Sequence, residues 1–162
     1  MSFFLASKIK IKHLPELNLD VFSLFDLLLE NLNKDRKYCC ICGVGCTTLD
    51  KHHFVYDPEI YVYLCRNCHI RLHNNPKYRV INSWFEHIGR YIPEFLSRND
   101  VKQLFRKTIK YFEEPSKTFK KLHELETLAF LLHCLTHVPE RKRQILEILK
   151  ERYGIDLKSI EL

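Results

Sequence analysis

Two pairs of cysteines restrict what this chain can fold into more than any other feature of its sequence. Cys39 and Cys42 form one pair, Cys65 and Cys68 form the other, and 22 residues separate the two pairs. Two residues between cysteines let a tight turn direct both sulfurs at one ion, and two such turns complete a tetrahedral shell of thiolates. The spacing therefore predicts a structural zinc ion held by these four cysteines.

Two other cysteines are rival ligands in the first turn. Cys40 lies between the two proposed ligands, and Cys46 follows Cys42 after three intervening residues. We prefer Cys39 and Cys42 because Gly43 follows them, where such a turn often needs a backbone conformation that a Cβ would penalise. A redox function for the Cys-x-x-Cys pairs is disfavoured because no βαβ pattern surrounds them.

The composition favours a folded domain with a polyanionic partner. The chain has 162 residues, of which 46% are hydrophobic, so a sizeable core can form. The formal charge is +6 and the isoelectric point lies near 8.9, which favours binding to nucleic acid. Residues 34–81, which contain the cysteine pairs, carry eight basic and four acidic side chains and are the most basic part for their length.

The distribution of apolar residues predicts a cytoplasmic protein that makes no membrane contact. The apolar run at the start of the chain is too short for a signal peptide, and no other run is long enough to span a bilayer. In a reducing compartment, cysteines more often serve as metal ligands and core residues than as disulfides. A disulfide remains an alternative for the cysteines outside the two pairs.

Hydrophobic periodicity divides the chain into three parts. Residues 1–35 predict an N-terminal helical arm, in which an amphipathic helix covers residues 19–35 with Asp20 as its N-cap. Residues 36–76 combine β-rich pieces with a helix over residues 66–74, which the Asn-Asn-Pro sequence ends. This middle part is therefore expected to be a small module built on a hairpin and a helix.

Residues 77–162 predict an all-α helical domain. The first helix carries an apolar stripe formed by Ile81, Trp84, Phe85 and Ile88. Asn99 or Asp100 is expected to cap the second helix, and the third helix is expected over residues 116–137. The last helix is expected to run from Pro139 to Tyr153, with Gly154 as its C-cap.

Four of the nine histidines fall within the cysteine framework, although a closed thiolate site needs none of them. On a helix His69 and His73 lie one turn apart on the same face, whereas Cys68 is rotated by about 100°. In a strand the side chains of His52 and His53 point to opposite sides, so one can bind a second ion while the other faces a substrate. The alternative is that these histidines are surface residues or substitute zinc ligands.

The order Cys-x2-Cys, His-His, Leu-Cys-x2-Cys-His-x3-His over residues 38–75 resembles the HNH endonuclease family, also called ββα-metal or His-Me finger nucleases. The resemblance implies a strand pair and a helix that hold one divalent catalytic ion. It also implies that His53 is the general base and that the metal ligands are His52, His69 and His73. The four cysteines match the structural zinc that many members contain.

The sequence departs from the family at the middle Asn of the motif. In the family the amide of this residue ties the loop backbone and orients the base. Counted back from Cys65, its place falls on Ile60, or on Glu59 if the loop shifts. The side chain of Ile60 cannot form a hydrogen bond, so the orienting contact is expected from Asp57, from Glu59 or from a backbone carbonyl.

These observations predict a metal-dependent endonuclease that hydrolyses phosphodiester bonds in nucleic acid, with DNA favoured by the resemblance alone. His53 would activate water beside a Mg²⁺, Mn²⁺, Ni²⁺, Co²⁺ or Zn²⁺ ion, and Arg66 or Arg71 would stabilise the transition state. The predicted fold class is α+β, mainly α, with a small zinc-stabilised HNH module joined to an all-α bundle. The alternative function is a catalytically inactive HNH-like zinc module that binds nucleic acid or a protein partner.

Overall fold

The computed structural model describes residues 19–45, 48–92, 96–113, 118–158 and 160. Cys46, the rival zinc ligand, lies outside the described residues. The chain divides into two compact units, Met1–Ile81 and Asn82–Leu162. The described part is mainly helical and contains a two-stranded antiparallel sheet, which confirms the predicted α+β, mainly α class at that level.

The described chain contains six α-helices and two strands. In chain order they are α1 (Val21–Glu30), β1 (Asp50–Val55), β2 (Ile60–Leu64), α2 (Arg66–Asn74), α3 (Pro76–His87), α4 (Arg98–Thr108), α5 (Thr118–His137) and α6 (Lys142–Tyr153). Short 3-10 helices cover Gly89–Tyr91, Ile109–Phe112 and Pro139–Arg141. Among the described helices, none combines the length and the hydropathy that crossing a bilayer requires.

Helix α1 starts where the sequence predicts and ends earlier. The carboxylate of Asp20 accepts a hydrogen bond of 2.8 Å from the backbone N–H of Ser23, so Asp20 is the N-cap. The helix ends at Glu30 instead of continuing to residue 35 because the backbone turns after it. This turn brings Asn33 to a φ of 56°, a left-handed conformation that Asn adopts more readily than most residues.

Strands β1 and β2 form an antiparallel hairpin that presents the two neighbouring histidines on opposite faces. His52 pairs with Val62 and His53 pairs with Tyr61, and a register shift follows between His53 and Val55. His52 is buried, whereas His53 is half-buried. Helix α2 has the predicted bounds and contacts both strands, so the three elements form one β-β-α arrangement.

The second unit is helical in its described residues, and its core includes most of the predicted apolar stripe. Trp84, Phe85 and Ile88 are buried, and the Trp84 indole N–H donates a 2.6 Å hydrogen bond to Thr108 Oγ1. Helix α5 is less completely enclosed than its apolar sequence suggests, because Phe130 is 64% exposed.

The ends of two helices in the second unit differ from the prediction. The N-cap of α4 is Ser97, whose hydroxyl accepts a hydrogen bond from the backbone N–H of Asp100, so the predicted caps Asn99 and Asp100 were wrong. Ser97 precedes them and has the extended backbone that a cap requires. Pro139 starts a 3-10 turn, and α6 follows it from Lys142. Gly154 ends α6 with a φ of 66°, as predicted.

Candidate metal centres

The first cysteine pair lies on a tight turn closed by two backbone hydrogen bonds. The N–H of Gly43 donates to the carbonyl of Cys39 at 2.9 Å, and the N–H of Cys39 donates to the carbonyl of Val44 at 3.1 Å. Gly43 has a φ of 74°, a left-handed conformation that a Cβ would penalise. A glycine at this position was expected for that reason. A further bond from the Cys40 N–H to the Tyr63 carbonyl, at 3.2 Å, ties this turn to β2.

The four cysteines of the two pairs meet at one point. The sulfur atoms of Cys39, Cys42, Cys65 and Cys68 all lie within 4.8 Å of one another. Cys42 Sγ and Cys65 Sγ are 3.7 Å apart. Zinc–sulfur bonds of about 2.3 Å place two sulfurs of a tetrahedron about 3.8 Å apart. The spacing of these four thiols therefore fits a single tetrahedrally coordinated ion.

The protonation state of Cys40 also distinguishes this alternative ligand from the four cysteines of the cluster. Burial, together with the nearby Cys39, raises the pKa of Cys40 to about 12, so this thiol keeps its proton. Hydrogen bonds with Cys65 and Cys68 lower the pKa of Cys39, whereas hydrogen bonds with Cys39 and Cys65 raise the pKa of Cys68. Four crowded sulfurs cannot all become thiolates without a cation, and a divalent ion would supply the required positive charge.

Three imidazoles form a second cluster. The candidate ligand atoms of His52, His69 and His73 lie within 4.8 Å of one another. The ring centroids are 4.9 to 5.0 Å apart in all three pairs. Nε2 of His69 and Nε2 of His73 are 3.1 Å apart, and two ligands with bonds of about 2.0–2.1 Å to one ion lie about 3.0–3.4 Å apart. The three rings can therefore bind one ion.

The histidine cluster opens to solvent on one side. His52 is buried beneath the hairpin, His69 is half-buried and His73 is exposed. Burial, followed by the proximity of His69, lowers the pKa of His73. A lowered pKa keeps the imidazole neutral near pH 7, which is the form that coordinates a metal ion. An ion bound by these rings would retain coordination positions on the exposed side.

Asp50 holds the second ring of this cluster in place. Oδ2 of Asp50 lies 2.9 Å from Nδ1 of His69 and 3.1 Å from a guanidinium nitrogen of Arg66. Burial raises the pKa of Asp50, but the hydrogen bonds from His69 and Arg66 outweigh it and the net change is downward. The side chain therefore stays a carboxylate. Such a carboxylate fixes both the tautomer and the orientation of a metal-binding imidazole.

His53 lies on the other face of β1 and has a different partner. Its Nε2 is 2.8 Å from Oε1 of Glu59, and its ring stacks on Tyr56 with the centroids 4.5 Å apart. Glu59 also pairs with Lys51 Nζ at 2.6 Å, and this contact, followed by the one to His53, lowers the pKa of Glu59. Because an ionised Glu59 accepts a hydrogen bond from the Nε2–H of His53, Nδ1 is the nitrogen of the ring that is left with a free lone pair.

Arg66 and Arg71, of which one or the other was predicted to stabilise the transition state, lie on helix α2 with the metal-binding candidates. The guanidinium of Arg66 donates to Asp50, and its side chain is 54% exposed. Arg71 is half-buried in the last turn of the helix. Both arginines therefore belong to the element that carries His69 and His73, and their role in stabilising the transition state stays a prediction.

Sequence reasoning missed two residues of the site. Asp50 precedes His52 by two positions, and residues at this spacing share one face of a strand, so the sequence did contain a signal for it. Asn33 lies outside the predicted module, and its amide bonds the backbone of Glu59 and Tyr61. Nothing in the local sequence indicates this contact, because 26 to 28 residues separate the partners.

Comparisons with known proteins do not assign the chain to a family. No family model, no curated protein and no solved structure matches it. The two clusters of candidate ligands and the His53–Glu59 pair are therefore the basis for a functional proposal.

Proposed function

We propose that the chain is a metal-dependent endonuclease of the HNH type, which hydrolyses phosphodiester bonds in nucleic acid. The observation that supports the proposal is that three histidines form one cluster while a fourth lies apart from it. His52, His69 and His73 bring their ligand atoms within 4.8 Å of one another. His53, although adjacent to His52, points away from this cluster and pairs with a carboxylate. DNA is the favoured substrate, on the family resemblance alone.

The four cysteines have a structural role in this proposal. A zinc ion bound by the four cysteines would join the turn that contains Cys39 and Cys42 to the start of helix α2, where Cys65 and Cys68 lie. Cys65 is the N-cap of that helix and Cys68 lies in its first turn. A closed shell of four thiolates leaves no position for a substrate, so this ion would stabilise the fold and take no part in catalysis.

The three histidines supply the catalytic ion site. Neutral imidazole ligands leave the full double charge of a divalent cation for an anionic substrate. Mg²⁺, Mn²⁺, Ni²⁺, Co²⁺ and Zn²⁺ are the candidate ions. When bound, such an ion would supply Lewis-acid stabilisation of the negative charge that develops on the phosphate and on the leaving oxygen.

His53 is the proposed general base. In the reaction Nδ1 of His53 accepts a proton from a water molecule as the water oxygen forms a bond to phosphorus. The bond between phosphorus and the leaving 3′-oxygen breaks, and that oxygen then takes a proton from solvent. The carboxylate of Glu59, held at Nε2, stabilises the imidazolium that forms and keeps the ring in the reactive tautomer.

Basic side chains near the two clusters support a polyanionic substrate. Lys51 lies on β1 next to His52, and Arg66 and Arg71 lie on helix α2 beside the histidines. Arg66 is only partly engaged by Asp50, because its side chain is 54% exposed and a guanidinium has five donors. These groups are the proposed contacts to phosphate oxygens.

The proposal is tested by cleavage of supercoiled plasmid in Mg²⁺, Mn²⁺, Ni²⁺ or Co²⁺, with the wild type, His53→Ala and His123→Ala compared. His123 is an exposed residue of helix α5 and serves as a matched control. We expect nicking by the wild type and the control, and a loss of about 10²- to 10⁴-fold in His53→Ala, the usual value of a general base.

Metal counting on the same samples completes the test. We expect two divalent ions per chain in the wild type and in His53→Ala, because His53 is not a ligand. Wild-type protein that binds nucleic acid without cutting it would favour the inactive zinc module instead. Cleavage that His53→Ala retains would refute the assignment of the base.

A further inference from the structure

Asn33 makes three hydrogen bonds to the end of the turn that joins β1 and β2. Its Nδ2 donates to the carbonyl of Glu59 at 2.9 Å, and its Oδ1 accepts from the N–H of Tyr61 at 2.9 Å. Its own backbone N–H donates to the carbonyl of Tyr61 at 2.8 Å. One side chain thus satisfies a backbone acceptor and a backbone donor two residues apart, as a neighbouring strand would.

The residues that Asn33 holds are the ones that support His53. Glu59, whose carbonyl accepts from Asn33, places its carboxylate 2.8 Å from His53 Nε2. Tyr61 is the cross-strand partner of His53. The Tyr61 hydroxyl donates to Asp35 at 3.1 Å, which attaches the same turn to the segment after α1 at a second point.

We propose that Asn33 is a positioning residue, which fixes the backbone of residues 59–61 so that the Glu59 carboxylate holds the His53 ring. The inference rests on the proposed function, since it assigns a role in orienting the general base. Glu59 is exposed, and a glutamate side chain has many accessible rotamers, so its backbone must be fixed for one rotamer to reach His53. Asn33 supplies that constraint from a segment outside the hairpin.

The residue type suits this role for two reasons. The primary amide carries a donor and an acceptor at the spacing of a peptide group, so it can bond both Glu59 and Tyr61. The φ of 56° at position 33 lies in the left-handed region, which Asn tolerates and β-branched or large residues do not. Gly tolerates the same backbone but has no amide, and Asp has the acceptor without the donor.

These properties define the variants for the test. Asn33→Gly removes both side-chain bonds without adding backbone strain. Asn33→Asp replaces the donor to Glu59 with a carboxylate oxygen, which adds a negative charge, and keeps the acceptor for the Tyr61 N–H. Asp20→Ala removes the N-cap of helix α1, the helix that precedes Asn33, and is the control for a loss of stability alone. If Asn33→Gly fails to fold, Asn33→Asp is compared with the wild type instead, because it keeps the bond from the Tyr61 N–H.

The first readout is plasmid cleavage by the full chain loaded with Zn²⁺ and Mg²⁺. We expect Asn33→Gly to lower kcat by about 10- to 100-fold, the usual cost of losing a residue that orients a site residue from outside the site. KM and metal content should stay unchanged. In a His53→Ala background the same change should have no further effect, since both act through one ring. Unchanged kcat, an effect of the same size in that background, or an equal loss in Asp20→Ala would overturn the proposal.

The second readout does not depend on cleavage. In the zinc-loaded chain, we expect Asn33→Gly to change the NMR signals of the His53 ring and to speed hydrogen exchange at the Tyr61 amide, while the His69 and His73 signals stay in place. If the wild type does not cut nucleic acid, the proposed function fails and these signals decide the role of Asn33. An unaltered His53 ring would overturn it.

Discussion

Nδ1 of His69 lies 2.9 Å from Oδ2 of Asp50, and this contact leaves Nε2 of His69 directed at His73, 3.1 Å away. The carboxylate thereby selects which nitrogen can bind a metal ion. Arg66 donates to the same carboxylate oxygen and limits its rotation. The orientation of one candidate ligand is therefore set by two residues that would not touch the ion.

Replacing Asp50 should weaken metal binding without unfolding the chain. For Asp50→Asn we expect the affinity of the histidine site for Ni²⁺ or Mn²⁺ to fall by about 10- to 100-fold, because the amide holds the imidazole less firmly and adds no negative charge. Calorimetric titration of zinc-loaded protein measures the change. Asp57→Asn, at an exposed position of the β1–β2 turn, removes the same charge and should leave the affinity unaltered.

Replacing single cysteines should distinguish the four proposed zinc ligands from Cys40. Cys42→Ser should lower the zinc content and destabilise residues 19–81, since a structural zinc contributes directly to folding. Cys40→Ser should keep its zinc, because the Cys40 thiol lies outside the cluster of four sulfurs. Zinc analysis of the purified variants and their chelator-induced loss of circular dichroism measure both effects. Zinc loss in Cys40→Ser alone would reverse the ligand assignment.

Neutralising Glu59 should slow cleavage and leave metal content intact. Glu59→Gln keeps an oxygen that can accept from His53 Nε2 but removes the negative charge that stabilises the imidazolium. We expect kcat to fall by about 10- to 100-fold with KM unchanged. Single-turnover cleavage measures the rate of the chemical step. Glu147→Gln, on the exposed surface of helix α6, is the matched control, and an equal loss there would exclude a specific role for Glu59.

The hydrogen bond between Trp84 and Thr108 should stabilise the second unit. Both side chains are fully buried, and Thr108 also donates to the carbonyl of Leu104 at 2.8 Å. Thr108→Val leaves the indole N–H without its acceptor and should cost about 1–3 kcal/mol of unfolding free energy. Urea unfolding followed by Trp fluorescence reports on this unit, because the chain has one Trp. Thr127→Val, which removes a comparable hydroxyl-to-carbonyl bond in helix α5, should cost less.

Tyr153 should make the second unit sensitive to alkaline pH. Burial, with a smaller contribution from Glu124, raises the pKa of Tyr153 from 10.0 to about 12. The unfolded chain therefore releases this proton at lower pH than the folded chain does. The associated stability is fully present below pH 10.0 and is lost as the pH rises to about 12. Unfolding at pH values on both sides of 10.0 should show a smaller decline in Tyr153→Phe than in the wild type or in Tyr91→Phe.

Asn33 illustrates how a sequence pattern can miss a contact at the candidate site. The motif places the missing amide at Ile60 or Glu59, within the hairpin, because motif positions are counted along the chain. The structure supplies an amide to the same stretch of backbone from Asn33, 26 residues before Glu59. Spacing along the sequence carries no information about such a residue, because its position depends on how the turn after α1 meets β2.

The sequence by itself determined the features that depend on near neighbours. The Asp20 cap, the bounds of helix α2, the Gly43 and Gly154 conformations and the opposite faces of His52 and His53 all follow from local backbone geometry. The tertiary structure alone decided which residues hold the histidines of the candidate site. The contacts of His69 with Asp50, and of Asn33 with Tyr61, join residues 19 and 28 positions apart. Residues so far apart in the sequence come into contact only when the hairpin adopts one register and α2 packs against it. The packing of the whole unit sets that register.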